Sequence, residues 1–168
     1  MAVKALNEVP ADSRVVVDAN IFIYAANRTS NQCAEFLERC AREDLRGITT
    51  FEALAEVNHR LMLEEALAAG MIERATAGRL RRSRRSIPTL KEYWPSLTRL
   101  FEMNLIVLDL DEQRFRHAQV MRERHGMLTN DSLVLAAAQS YGVTNLATRD
   151  EDFDAVPWLT VYKPSDVP

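Results

Sequence analysis

The sequence predicts an α/β protein, a parallel sheet flanked by helices on both faces. Three observations carry this. Short β-branched or apolar runs, such as Val15–Val17 and residues 105–110, alternate with longer helical stretches, the pattern of a parallel sheet wrapped by helices. Those runs are apolar throughout rather than alternating with polar residues, as strands covered on two faces require. Finally, capping residues and glycines fall at the ends of the helical stretches. At 168 residues, the chain suits a single domain with a real core. We expect residues 1–13 to be a polar lead-in and 14–168 to form the domain.

Val15–Val17 is the first strand, and residues 21–26 continue as a short helix. Residues 31–43 space Phe36, Leu37 and Cys40 as a helix does. Residues 47–49 form a short strand, after which Thr50 caps a helix that stops at Gly70. Residues 71–86 look helical and very basic. Pro88 opens another helix over residues 89–104, with Pro95 as a kink or break. A second clear, buried strand covers 105–110. Residues 111–126 are helical between Asp111 and Gly126, and a further helix runs from about Asp131 to Tyr141. Residues 143–150 and 159–164 supply the remaining strands.

The bulk properties exclude several classes. A formal charge of -3 gives no global basic field for coating nucleic acid. Cys33 and Cys40 sit two turns apart on one helix, too far to bridge, and read as small buried hydrophobes. No apolar run is long enough to span a membrane, and no signal peptide is present, so a cytoplasmic location is expected. His59, His117 and His125 are scattered and give no zinc pattern. There is no phosphate-binding glycine loop and no Gly-x-Ser-x-Gly elbow.

The acids are the unusual feature. Asp18 directly follows the first strand, and Asp150 ends the stretch Asn145–Asp150 in the same way. Ligands of such sheets bind at the carboxyl ends of the strands. Asp131 opens a helix on whose wheel its neighbours are Val134, Leu135 and Ala138, so it points to the apolar side. Glu52 and Glu56 lie one turn apart after the short second strand; the wheel sets both away from Phe51, Leu54 and Leu61 and does not choose between them. Each acid alone has an ordinary reading as a cap, a turn residue or a solvated position. Together they put several carboxylates at one rim. Clustered carboxylates repel, and a hard divalent cation with oxygen ligands relieves that repulsion. One or two such ions on a carboxylate rim is the arrangement that cleaves phosphodiesters.

These residues resemble the PIN-domain ribonucleases, in particular the VapC-type toxins of prokaryotic toxin–antitoxin pairs. "VVVDANIFIYA" is similar to the family's first-strand motif. "GITTFEALAEVNHRL" is similar to the second, a short strand leading to a helix with one essential Glu. "LTNDSLVLAAAQSYGVTNLATRDEDFDAVPWLTVYKP" looks like the third and fourth motifs together. The motifs lie in the family order and cover nearly the whole chain. The resemblance implies a PIN-like (Rossmann-like) fold and an acidic quartet of Asp18, Glu56, Asp131 and Asp150. Asn20 and Thr148 match flanking polar positions that orient the acids, and Asp152 is an extra acid beside the fourth position. It also implies Mg²⁺ or Mn²⁺, held by Asp18 and Asp131 with Asp150 and Glu56 completing the site, an RNA substrate, a cognate antitoxin and a homodimer.

The expected activity is therefore a metal-dependent endoribonuclease. Because the rim is negative, RNA must be gripped elsewhere. Arg79, Arg81, Arg82, Arg84 and Arg85 place five arginines in seven residues, suited to phosphate contacts, or alternatively to a solvated face or an acidic partner. The rival reading is a PIN-fold module that binds RNA or scaffolds without cutting. A receiver- or phosphatase-type domain also ends its first strand in Asp, but such phosphatases want a second Asp where Asn20 stands.

Overall fold

The backbone is organised around six strands, β1 (Ala2–Ala5), β2 (Arg14–Val17), β3 (Arg46–Thr50), β4 (Ile106–Leu108), β5 (Asn145–Ala147) and β6 (Thr160–Lys163). They form one sheet of order β1-β6-β5-β2-β3-β4, and every neighbouring pair is parallel. The computed structural model describes residues 2–167. Among the described residues, seven α-helices connect the strands: α1 (Ala19–Ala26), α2 (Asn31–Ala41), α3 (Phe51–Ala68), α4 (Ala77–Arg82), α5 (Tyr93–Phe101), α6 (Glu112–His125) and α7 (Thr129–Ser140).

The valine run explains the layering. Val15 and Val17 point into a core shared with α1, α2, α3 and α5. Val16 points the other way, into a core made with Ala118 and Met121 of α6 and with Leu133–Ala138 of α7. Period-two alternation along a strand buried on both faces requires this split. Cys33 and Cys40 are buried, unpaired members of the first core. Burial pushes the Cys33 thiol up to about 11 and the Cys40 thiol to about 12, so both are inert packing groups.

The chain order reverses at β2. Strands β3 and β4 are laid down on one side of it, and β5, β6 and β1 on the other. The carboxyl end of β2 is therefore the switch point where a parallel sheet leaves a crevice, and Asp18 is the next residue.

Four expectations are corrected. The lead-in expected over residues 1–13 is part of the domain from Ala2 onward: Ala2–Ala5 pair in register with Thr160–Lys163, and Leu6 and Val9 are buried. Residues 71–86 are not one helix. Thr76 caps the short α4, and a 3-10 turn follows over Arg84–Thr89 that contains Pro88. Like charges on successive turns and a proline without an N–H both oppose a longer helix there. Helix α5 is shorter than 89–104 and is not broken by Pro95, because Pro95 falls in its first turn, where no N–H partner is needed. Strand β4 pairs over three residues only; it is the sheet edge, and Ile106 is 47% exposed.

Candidate active site

Asp18 caps α1. Its Oδ1 accepts from the Ala19 N–H at 2.7 Å. Its Oδ2 accepts from the Thr148 hydroxyl and from the Asn20 amide, both at 2.6 Å. Thr148 is fully buried and is the hub of the site: its Oγ1 also accepts from Asn20 Nδ2 at 2.9 Å and from the Asp150 N–H at 3.0 Å. Asn20 Oδ1 in turn accepts from the Arg149 N–H at 3.0 Å. Two strand ends, β2 and β5, are thus fastened together by side chains immediately beyond them. Asp150 Oδ1 accepts from the Asp152 N–H at 2.9 Å, which fixes the turn that presents it.

On the other side of Asp18, β3 runs directly into α3. Thr49 Oγ1 donates to the Val17 carbonyl at 3.0 Å, and Thr50 Oγ1 caps α3 by accepting from the Ala53 N–H at 3.1 Å. This sets the first two turns of α3, with Glu52 and Glu56, against the end of β2. Helix α7 begins two residues before Asp131, earlier than the sequence suggests, so Asp131 lies in its first turn. There the helix dipole favours a carboxylate.

Asp18, Glu56, Asp131 and Asp150 line a single cleft with Asn20, Thr50, Glu52, Asn130 and Val134. The cleft holds about 80 Å³, space for a few waters or a hydrated ion and too little for a nucleotide. Among the described residues, no basic side chain lines it. Burial, reinforced by the charges of Glu56 and Asp131, pushes the Asp18 carboxyl up to about 6, against the pull of the Thr148 and Ala19 hydrogen bonds. Asp131 is also raised, first by burial and then by the charges of Asp150, Asp152 and Glu56. Asp152, exposed at the rim, therefore acts on the site through its field.

Three further residues belong to the cleft: Asn130, which the sequence did not single out, Thr50, expected only as a cap, and Glu52, left open beside Glu56. Asn130 Nδ2 donates to Glu56 Oε2 at 3.3 Å; its place beside Asp131 in the first turn of a helix was the available signal. Thr50 is a wall as well as a cap. Glu52 also lines the cleft, and its Oε2 is buried with no hydrogen-bond partner among the described residues. Of the two glutamates, Glu56 is the one whose charge raises both Asp18 and Asp131. Among the described residues, no three acid, imidazole or thiol groups lie close enough to ligate one ion directly. The five arginines are not in the cleft: they sit on α4 and the turn after it, all exposed.

With this geometry, the chain compares with known proteins as follows. A family model described as the PIN domain matches residues 15–159. Over 74 residues the chain is 27% identical to a protein named ribonuclease VapC6 from Methanocaldococcus jannaschii, a stretch covering 44% of this chain and 48% of that protein. The match thus spans about half the length of that curated relative. A Mycobacterium tuberculosis structure described as VapC20, a sarcin–ricin loop cleaving toxin, superposes with a TM-score of 0.60 at 15% identity, covering 88% of this chain and 98% of that one. A toxin–antitoxin complex from Klebsiella pneumoniae gives 0.53 at 17%, covering 87% and 95%. At such identities the two structures speak to the fold alone.

Proposed function

The chain belongs to the PIN-domain family, and from that premise we propose that it is an Mg²⁺- or Mn²⁺-dependent endoribonuclease, the toxin of a toxin–antitoxin pair. One observation carries the reading: Asp18, Glu56, Asp131 and Asp150 come from four separate segments and line one cleft at the switch point of the sheet. A fold needs no such concentration of repelling charge for stability.

The site suits a hydrated, hard cation. Its donors are carboxylates and amide or hydroxyl oxygens; among the described residues no lysine or arginine lines it and one buried Glu52 oxygen has no hydrogen-bond partner. Because no three acids meet at one point, Asp18, Asp131 and Asp150 would hold the ion in part through its own waters, with Glu56 alongside. Bound there, a divalent ion supplies charge neutralisation, polarisation of a phosphate oxygen and a more acidic water.

The chain's own residues orient and select. Thr148 and Asn20 hold Asp18 Oδ2 by two hydrogen bonds, which orient the carboxylate. Asn130, next to Asp131, donates to Glu56 Oε2 across the cleft. The cleft is too small for a nucleotide, so RNA recognition lies outside it. The named relatives, a ribonuclease and toxins of like fold, support extending RNA cleavage and an antitoxin partner to this chain. We also assign it a homodimer, built through the apolar helices between Phe51 and Phe101, and a cytoplasmic location; among the described residues no helix is long and apolar enough to cross a membrane.

The test is RNA cleavage in Mn²⁺ by the wild type and by Asp18→Asn. The wild type is expected to cut, and the variant to lose at least roughly 100-fold. Equal activity in both would replace the nuclease by a non-catalytic RNA-binding or scaffold module.

A further inference from the structure

We propose that the arginine segment on α4 and its following turn is a docking site for the phosphate backbone of RNA, set beside the acidic cleft by α3. The proposal rests on the nuclease reading above and names where that substrate is held.

The segment is anchored rather than loose. Leu80 on its inner side, with Ile72 and Leu90, packs on Leu63 and Ala66 of α3 in a small separate core. The inner side is thus committed to α3, and Arg79, Arg81, Arg82, Arg84 and Arg85 are all exposed. Arg79 is held by Glu73 at 3.5 Å; the other four take part in no ion pair among the described residues. A concentration of guanidinium groups in a chain of net charge -3 is a local field that the composition as a whole conceals.

Helix α3 fixes where that field lies. Glu52 and Glu56 occupy its first two turns and line the cleft. Leu63 follows Glu56 by seven residues, so at 100° per residue it returns to within about 20° of the same face, roughly 10 Å further along the axis. The segment that packs on Leu63 and Ala66 therefore lies on the cleft side of α3, two to three turns beyond the acids. A polyanion is the partner that this juxtaposition fits. Its charge recurs at every nucleotide along the strand, so one strand can meet the arginines with some phosphates and the carboxylate cleft with another. The cleft is too small to bind a nucleotide by itself and repels phosphate. The arginines supply affinity where it supplies none. An acidic protein would satisfy the arginines equally, but nothing would then place them beside a phosphate-cutting cleft.

The experiment measures binding of a labelled single-stranded RNA against salt concentration, with chelator present to stop cleavage. It compares the wild type, a quadruple variant (Arg81→Gln, Arg82→Gln, Arg84→Gln, Arg85→Gln) and the same four changed to Lys. A control, Arg42→Gln with Arg46→Gln, removes charge after α2 and at the amino end of β3, the strand end away from the cleft. If each of the four arginines meets one phosphate, the slope of log affinity on log salt falls by roughly 2–3 in the glutamine variant. The lysine variant retains most of the slope, and the control retains all of it. A near-unchanged slope in a glutamine variant that keeps its folded circular-dichroism spectrum overturns the docking site, as does an equal loss in the control. Failure of the wild type to bind or cut any RNA overturns the nuclease reading as well, whereas cutting with an unchanged slope overturns this proposal only.

Discussion

Thr148 carries more of the site than any acid does. Its hydroxyl donates to Asp18 and accepts from Asn20 and from the Asp150 backbone. Thr148→Val keeps the shape and strands those groups, and should cost about 1–3 kcal/mol together with most of the activity; thermal melts and RNA cleavage check both. Asp18 itself opposes folding when charged. Its folded pKa of about 6 lies above its ordinary value, so between about pH 4 and pH 6 the folded state binds more protons than the unfolded one. The metal-free protein should therefore lose stability as pH rises through that window, by at most about 1.4 kcal/mol per pH unit for one proton. Asp18→Asn should flatten the slope, as denaturation across that range would show. At this scale the sequence was legible where chemistry coincides with position. Asp18 and Asp150 follow strand ends, and Asp131 shares a helical face with apolar residues. Glu52 and Glu56 stand one turn apart on one face, and only the fold shows that both reach the cleft. Asn130 was missed because an amide in a first turn looks like an ordinary helix start.

Among the elements, α3 connects the cleft to the segments packed further along it. Its first turns present glutamates to the cleft, and its later turns seat both the arginine segment and α5. Glu65 accepts hydrogen bonds from the backbone N–H groups of Lys91, Glu92 and Tyr93 at the start of α5. These bonds hold its carboxyl below its usual range, although burial works against them. Glu65→Ala should cost about 1–2 kcal/mol, as loss of a cap does, and loosen α5 without touching the cleft; hydrogen exchange at residues 91–95 measures it. Helices with their own caps were readable in advance: Thr50 begins α3, Asp111 begins α6, and Gly126, at φ 68°, ends α6 in a left-handed turn that suits glycine. Residues 71–92 were not readable, because their order comes from Leu80, Leu90 and a distant glutamate rather than from local periodicity.

For the molecule as a whole, the sheet order decides where chemistry occurs. The reversal at β2 makes a crevice, and the chain fills it with acids. The parallel sheet itself was legible because doubly covered strands are continuously apolar. Strand β1 was not, because Ala2–Ala5 forms an edge whose stability comes from backbone pairing with β6 rather than from a hydrophobic signature. Deleting residues 1–5 should cost on the order of 1–2 kcal/mol in lost ladder bonds and leave RNA cleavage intact, since two strands separate β1 from β2. The central claim is that these carboxylates act together on a metal ion to cut RNA. The most direct measurement is the rate of RNA cleavage as Mn²⁺ is titrated into chelator-treated wild type and Asp131→Asn. The account predicts a wild-type rate that rises from zero to saturation and an Asp131→Asn rate at least roughly 100-fold lower at every concentration. Full cleavage in chelator, or equal rates in the two proteins, would contradict it.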